Sequence, residues 1–190
     1  MTVADQAVLR LRAAVRRLPV DLRQHIDRVE VGAVGLARRH SVDLDRARAA
    51  AIGHDLMRAE TPERLLTLAA ECGIVPDAVE EAEPVLLHGP VAARVLEDEY
   101  QVSDIEVLAA VASHTTARPG MSRLEKVLFL ADKIEADKIR RRPEWAEVRD
   151  LAPKDLDAAL LRFLDLHLAE AIRRGWHIHP RTVAARNGLL

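Results

Sequence analysis

Aromatic residues are scarce in this chain, since phenylalanine, tryptophan and tyrosine together make up 3% of its 190 residues. Strand-rich proteins usually carry more aromatic and β-branched residues, so this scarcity argues against a strand-rich fold. The chain is instead rich in alanine, leucine and arginine. These residues are among those that cost least in a helix interior. We therefore expect an all-α protein.

Cysteines and long apolar runs are also lacking. The single cysteine, Cys72, excludes a disulfide within the chain and fits a reducing compartment. No stretch approaches the roughly 20 apolar residues of a membrane helix, and the first residues lack the continuous apolar segment of a signal peptide. A net charge of −2 gives no overall basic character to attract nucleic acid. These absences predict a cytoplasmic protein without nucleic-acid or membrane partners.

The apolar residues recur at helical spacing along nearly the whole chain. A length of 190 residues suits one compact domain. We expect an N-terminal helix in residues 1–18, a main domain over residues 19–137, and C-terminal helices over residues 138–190 that pack on the same domain. The long interruption at residues 115–121 contains a Pro-Gly pair and is predicted to be a loop.

Four histidines and two aspartates recur at roughly even steps, each on or at the end of a separate predicted helix. They are His25, His54, Asp55, His88, His114 and Asp132. Side chains from facing helices of a bundle can converge on a central point and build a metal site. A lone histidine on an apolar face is more often a hydrogen-bonded core residue, so the inference depends on all six together.

The adjacent pair His54-Asp55 is the most informative part of this set. It follows an apolar helix whose small residues, at positions 49–53, would let neighbouring helices pack closely. A buried, unpaired carboxylate costs several kcal/mol or more, so the pair requires a partner. Together with the four other residues, it predicts a metal centre inside a helical bundle.

Three stretches carry a family resemblance. They are LLHGPVAARVL at residues 86–96, SHTTARPGMSRLEKVLFLADKIE at residues 113–135, and IHPRTVAARNGLL at residues 178–190. The order His…His-Asp…His…His…Asp resembles that of the HD superfamily, and the local sequences resemble its YqeK branch. The similarity extends from about residue 19 to the C-terminus.

The resemblance implies an HD-domain helical bundle with additional C-terminal helices, which hydrolyses diadenosine tetraphosphate symmetrically to two ADP at a binuclear iron site. All six residues would be metal ligands, with Asp55 as the bridge, and Asp55 and His54 would take part in catalysis. Two metals about 3.5–4 Å apart can activate a water and neutralise phosphate charge. Mixed imidazole and carboxylate ligands suit Fe, Mn, Co or Zn better than Mg, so the residues alone leave the ion open.

The resemblance also implies contacts to the substrate phosphates. Arg118 lies in the predicted loop four residues after His114, and Lys126 lies on the helix that follows. Thr115 can hydrogen-bond a phosphate or cap the loop. Arg58 takes the place of the lysine in the family's His-Asp-x-x-Lys and keeps its positive charge.

Two further positions depart from the family pattern. Leu22 stands where the family has an arginine three residues before the first histidine, and Arg23 is the candidate replacement. Glu-Ala-Asp-Lys at residues 135–138 stands in place of Glu-Pro-Asn-Arg. Like Arg58, these departures concern substrate binding, so the reaction class is predicted more firmly than the substrate.

Other polar and aromatic residues are predicted to have structural roles. Glu125 and Lys133 are expected to form pairs around the site or at the surface, and Trp145 and Trp176 to anchor the C-terminal helices over the core. The histidines outside the constellation are expected to be structural. They are His40, His167, His177 and His179.

Two other functions stay open on the sequence. One is an HD phosphohydrolase acting on a nucleoside monophosphate or a guanosine polyphosphate. The other is a nucleotide-binding regulator without turnover, although a binder has no need of a complete ligand set. The expected partner is a small nucleotide, and a homodimer is left open.

Overall fold

The computed structural model describes residues 3–190, with side chains from Val8 onward. Over that range the backbone forms twelve α-helices, two short 3-10 helices and no strand, which confirms the all-α prediction. The helices are α1 (Val3–Val15), α2 (Val20–Arg39), α3 (Leu44–Gly53), α4 (Pro62–Glu71), α5 (Ala78–Ala82), α6 (His88–Asp98), α7 (Ile105–Ser113), α8 (Arg123–Lys133), α9 (Ala136–Arg141), α10 (Ala146–Leu151), α11 (Leu156–Arg174) and α12 (Pro180–Asn187). The 3-10 helices are Pro84–Leu87 and Pro143–Trp145. The first two residues of the predicted N-terminal helix lie outside the described range.

Local sequence signals explain where several helices begin and end. Asp43 and the Thr61-Pro62 pair are residue types that predict helix starts. In the structure, Asp43 accepts hydrogen bonds from the first backbone N–H groups of α3, and Thr61 caps α4 directly before the proline. Ser122 and Glu125 form a capping box at the start of α8. Gly175 ends α11 in the left-handed conformation that favours glycine.

The region around residue 135 differs from the sequence prediction. The apolar periodicity predicts one helix over residues 122–137, but α8 ends at Lys133 and a separate helix, α9, follows. The cause is Glu135, whose carboxylate accepts hydrogen bonds from the backbone N–H groups of Asp137 (2.9 Å) and Lys138 (3.1 Å) and so starts α9. The arginine cluster at residues 140–142 is typical of a solvated turn, but residues 140 and 141 belong to α9.

Helices α2, α3, α6, α7 and α8 pack against one another and form the centre of the molecule. Helix α3 can lie close to α6 because Gly53 has no side chain. A Cβ at this position would lie 2.5 Å from the Leu96 side chain. This close approach confirms the role predicted for the small residues before His54. In the described residues, no helix has both the length and the apolar character needed to cross a membrane.

The C-terminal helices share the same hydrophobic core. Helix α11 packs against α8, α10 and α12. The Phe163 ring on α11 meets the Phe129 ring on α8 edge-on, with centroids 5.4 Å apart, and the buried Trp145 ring meets Phe163 at 5.0 Å. As predicted, Trp145 is a packing anchor, whereas Trp176 is 45% exposed.

Candidate metal centre

The fold brings all six residues of the predicted constellation to one point inside the bundle. His25 lies on α2, His54 and Asp55 follow α3, His88 begins α6, His114 follows α7, and Asp132 lies near the end of α8. All are buried except His25, which is partly exposed. The sequence pattern therefore predicted a set of side chains that converge in space.

Asp55 lies in the middle of this set. Its Oδ1 atom is 3.0 Å from Nε2 of His88 and 3.4 Å from Nε2 of His114. Its Oδ2 atom is 3.5 Å from Nε2 of both His25 and His54. The carboxylate thus belongs to two groups of candidate ligand atoms, each with its atoms within 4.8 Å of one another. An aspartate between two such groups has the geometry of a bridge between two cations.

Asp132 completes the group on the His25 side. Its Oδ1 atom is 3.0 Å from Nε2 of His25 and 3.9 Å from Nε2 of His54. Asp55 and Asp132 therefore both face His25 and His54, from α3 and α8 respectively. The arrangement offers oxygen and nitrogen atoms together, which is the mixed set that first-row transition metals accept.

Backbone hydrogen bonds fix the orientation of three of the imidazole rings. Nδ1 of His54, His88 and His114 each contacts the carbonyl oxygen of the residue three positions earlier, at 2.7 Å for His54 and His114. A carbonyl oxygen only accepts, so each Nδ1 carries the hydrogen and each neutral ring keeps a lone pair on Nε2. All three Nε2 atoms face Asp55. Metal-binding histidines are held in this manner.

The Nε2 atoms are poorly satisfied by protein groups alone. Those of His88 and His114 lie 3.0 Å apart beside the Asp55 carboxylate, so neutral rings that donate from Nδ1 would present only lone pairs there. Nε2 of His54 is buried without a hydrogen-bond partner among the described residues. A buried polar atom left unsatisfied costs about 1–3 kcal/mol. A cation would satisfy all of these atoms, so the donor set fits a metal ion.

Gly89 lets α6 come close enough for this arrangement. A Cβ at this position would lie 3.0 Å from the carbonyl oxygen of Val111 and 3.2 Å from two ring atoms of His114. That carbonyl is the one that accepts the hydrogen bond from His114. A larger residue next to His88 would therefore push against His114, another of the six converging residues.

The electrostatics favour ionised carboxylates at Asp55 and Asp132, and neutral rings at His54 and His114. Burial opposes ionisation of Asp55, but the neighbouring His54, His114 and His88 outweigh it and hold the Asp55 pKa well below its usual value. Burial lowers the pKa of His114 to about 4, despite the attraction of Asp55. Ligands in these protonation states are ready to bind a cation without first losing a proton.

Two lysines lie directly beside the centre, and Lys133 forms the pair at the site that the sequence predicted. Lys133 donates to Asp132 Oδ2 (2.6 Å) and to the His114 carbonyl (3.2 Å), and Lys138 contacts the other oxygen of Asp132. Burial opposes ionisation of Asp132, but these two ammonium groups keep its pKa well below the usual value. The sequence did indicate a basic residue at position 138, because Lys138 stands where the family's Glu-Pro-Asn-Arg has its arginine.

A chain of ion pairs supports His25 from outside the centre. Glu135, which caps α9, accepts a hydrogen bond from Nε of Arg28 at 2.6 Å. Its other oxygen lies 3.7 Å from Nδ1 of His25. The same glutamate therefore lies beside His25 and starts the helix that carries Lys138.

The predicted substrate contacts lie in different places. Arg118 forms a bidentate pair with the buried Glu125 (2.6 Å to each oxygen), and Lys126 pairs with Asp157. Arg118 and Lys126 both line a cavity of about 220 Å³ between the 115–121 loop and the C-terminal helices, and none of the six converging residues lines it. Glu125 thus forms the supporting pair expected of it.

Thr115 and Arg58 lie close in sequence to His114 and Asp55, respectively. Thr115 directly follows His114 and lines a second cavity together with Lys133 and Lys138. Arg58 is exposed, and its backbone N–H donates to the carbonyl of Asp55 at 3.0 Å.

Two of the other histidines occupy structural positions. His40 contacts the Ala152 carbonyl at 2.7 Å, and His179 caps α12 through Nδ1, which accepts from the backbone N–H of Arg181. Nε2 of His179 lies 3.1 Å from Asp77 but forms no hydrogen bond with the described residues.

Comparisons with known proteins agree with this geometry. A family model described as "HD domain" matches residues 22–137. A protein of Halalkalibacterium halodurans named symmetrical bis(5'-nucleosyl)-tetraphosphatase is 35% identical over 167 residues, which cover 88% of each chain. A Bacillus subtilis protein of the same name is 34% identical over 158 residues, which cover 83% of each chain.

A solved structure is also similar. It is a crystal structure from Clostridium acetobutylicum, described as a predicted HD superfamily hydrolase involved in NAD metabolism. It matches with a TM-score of 0.87 and 29% sequence identity, and the match covers 98% of this chain and 94% of that one. The likeness therefore includes the C-terminal helices as well as the central bundle.

Proposed function

The chain belongs to the HD-domain family, and from that premise we propose that it is a metal-dependent phosphohydrolase that cleaves diadenosine tetraphosphate into two ADP. The relatives named symmetrical bis(5'-nucleosyl)-tetraphosphatase support the substrate, because they are 34–35% identical over more than four fifths of the chain. The observation that carries the reaction class is the position of Asp55 between two groups of histidine Nε2 atoms.

We propose that His25, His54, Asp55, His88, His114 and Asp132 bind two transition-metal ions with Asp55 as the bridge. Iron is the ion that the family resemblance favours, and the imidazole and carboxylate donors also suit Mn, Co or Zn. When bound, the ions would lower the pKa of a water and neutralise charge on the phosphate. Asp55 and His54 are the residues we assign to the catalytic step, since both face this point from the end of α3.

The protein's own contribution is orientation and charge. The backbone carbonyls hold three imidazole rings with Nε2 turned inward, so little reorganisation is required. Lys133 and Lys138 add two positive charges beside Asp132. Ammonium groups at that position attract a chain of phosphates and can hydrogen-bond it.

We assign the first phosphate contacts to Lys133, Lys138 and Thr115, because all three border the metal centre. Arg118, Arg58 and Lys126 stay predictions for more distant phosphates. Arg118 and Lys126 would first have to leave Glu125 and Asp157, their partners in this structure.

The test is a substrate panel with metal-loaded protein, whose products are separated by chromatography. Diadenosine tetraphosphate should give ADP alone. A mixture of ATP and AMP would mean asymmetric cleavage and would contradict the proposal. Turnover of a nucleoside monophosphate or a guanosine polyphosphate in its place would assign a different substrate, and binding without turnover would make the protein a regulator.

A further inference from the structure

A cavity of about 220 Å³ lies beside the metal centre, under helix α11. We call it the α11 cavity. One part of its wall is polar and the other is aromatic. The residues that matter here are Thr115, Lys133, Lys138, Trp145, Phe163 and His167.

The polar wall of the α11 cavity is shared with the metal centre. Lys133 and Lys138 line the cavity and also contact Asp132. Thr115 lines it and directly follows His114. A phosphate held at the centre would therefore have the cavity as its immediate neighbour.

The opposite wall presents aromatic rings. Phe163 and His167, one turn apart on α11, are stacked with ring centroids 5.7 Å apart and an angle of 9° between the planes. Burial, with a smaller effect of Lys133, lowers the pKa of His167, which favours the neutral ring. Flat, uncharged rings of this kind are surfaces on which a nucleobase stacks.

Trp145 adds a hydrogen-bond donor without a partner. The residue is 9% exposed, and its indole Nε1 is buried with no acceptor in the described part of the chain. A buried tryptophan N–H usually finds an acceptor. A purine has ring nitrogens that accept hydrogen bonds, so a purine bound in the cavity could accept one from Trp145 Nε1.

The size of the cavity limits what it can hold. Pockets that enclose a whole drug-sized ligand measure about 300–1,000 Å³. The α11 cavity, at about 220 Å³, is smaller and matches one nucleoside better than an entire dinucleotide.

We propose that the α11 cavity binds one nucleoside of the substrate, with its base on the wall of Trp145, Phe163 and His167 and its phosphates leading past Lys133 and Lys138. This inference rests on the proposed function, because it assigns a place to one half of a dinucleoside polyphosphate. It makes α11 part of the substrate site, although the helix lies beyond the residues that match the HD-domain model.

The first test compares His167→Ala with His40→Ala. His40 is a half-buried histidine that does not line the cavity, so it controls for a general loss of stability. His167→Ala should raise KM for diadenosine tetraphosphate about tenfold, which corresponds to about 1.4 kcal/mol and lies within the range for stacking of one base. Its kcat, and its rate on bis(p-nitrophenyl) phosphate, which has no nucleoside, should stay within about twofold of wild type. Equal losses on both substrates, or no rise in KM, would overturn the proposal.

The second test does not depend on turnover. Since the chain has two tryptophans, Trp176→Phe leaves Trp145 as the only one. In zinc-loaded Trp176→Phe protein, ADP should change Trp145 fluorescence and inorganic pyrophosphate should change it much less. ADP binding that is measurable by calorimetry but leaves the fluorescence unchanged would overturn the proposal.

The two tests separate this inference from the proposed function. Wild-type protein that does not convert diadenosine tetraphosphate to ADP contradicts the function, while the ADP titration still decides what the cavity binds. Wild-type protein that makes ADP, with an unchanged KM in His167→Ala, contradicts the cavity assignment alone.

Discussion

The Nε2 atoms of His88 and His114 lie 3.0 Å apart, and the Nδ1 atom of each ring contacts a backbone carbonyl. In neutral rings that donate from Nδ1, the two Nε2 atoms present lone pairs to each other. In a buried site such a contact costs stability until a cation or a proton binds there. Several properties of the protein follow from this pair and from its neighbours.

Metal removal should lower the stability of the protein. Binding to the folded state alone stabilises by about 2.7 kcal/mol when the free ion is at 100 times its Kd, so a chelated sample should unfold at a lower temperature. Calorimetric scans before and after chelation, and after metal is returned, would measure this. Elemental analysis of the reconstituted protein should give about two ions per chain. Only trace metal after anaerobic reconstitution would contradict the binuclear arrangement.

Asp55→Asn should abolish metal binding and turnover, because the amide removes the negative charge that both histidine groups face. We expect activity to fall more than a hundredfold, beyond the roughly 10–100-fold loss seen when only the partner of a ligand is changed. Asp98→Asn, which changes an exposed carboxylate at the end of α6, is the matched control and should stay near wild type. Circular dichroism should show the same helicity in both. If Asp55→Asn keeps more than about a tenth of wild-type activity, Asp55 is not the bridge.

Lys138→Ala should impair hydrolysis of diadenosine tetraphosphate more than hydrolysis of bis(p-nitrophenyl) phosphate. A charge-assisted contact to phosphate is worth about 1.5–3 kcal/mol, or roughly ten- to a hundredfold. Lys138→Arg should restore most of the loss, and Lys154→Ala, at an exposed lysine, should have no effect. Metal content should be matched among the variants. Equal losses on both substrates would remove Lys138 from the phosphate site.

The same comparison on Arg118→Ala tests the assignment made from the sequence. A selective loss on diadenosine tetraphosphate would place Arg118 on the polyphosphate. A lower melting temperature with an unchanged KM would mean that Arg118 acts only through its ion pair with Glu125. The variant would leave the buried Glu125 carboxylate without this partner.

The stability of the metal-free protein should decrease as the pH falls from about 6.5 to about 4. Burial lowers the pKa of His114 from its ordinary 6.5 to about 4, so in this window the unfolded chain binds more protons than the folded one. The contribution of the neutral ring is therefore complete above pH 6.5 and is lost as the pH falls. Urea denaturation of chelated protein at pH 7.5 and pH 5 would measure it. His114→Gln should show a smaller difference, and equal stabilities of the wild type at both pH values would refute the prediction.

The convergence of the six side chains was predictable because each lies on or at the end of a helix, in the order typical of the HD superfamily. His54 and Asp55 follow a run of small residues, which predicts close packing against a neighbouring helix. In the structure, Leu96 of α6 packs so closely on Gly53 that a Cβ there would lie 2.5 Å from it. Helix starts at Asp43 and Thr61 were also predictable, since each cap involves residues close together in the chain.

The position of Lys138 and the α11 cavity could not be predicted in the same way. Lys138 reaches Asp132 only because Glu135 ends one helix and begins another, and the periodicity of residues 122–137 gave no sign of that break. The wall of the cavity joins Thr115 to residues of α11 that lie far along the chain. The proximity of Arg118 to His114 in sequence likewise did not show that Glu125 pairs with it.

The carbonyl groups that orient His54, His88 and His114 belong to the last turns of the helical segments directly before them. Carbonyls in the last turn of a helix lack the N–H groups of a following turn, and that of Val85 accepts from the backbone N–H of His88 as well as contacting its ring. Each imidazole therefore closes a helix end with one nitrogen while the other faces the centre. Fraying of one of these turns should release a ligand of the proposed metal centre, and a bound metal should hold the turn in place. We therefore expect amide hydrogen exchange at these helix ends to slow when metal is bound.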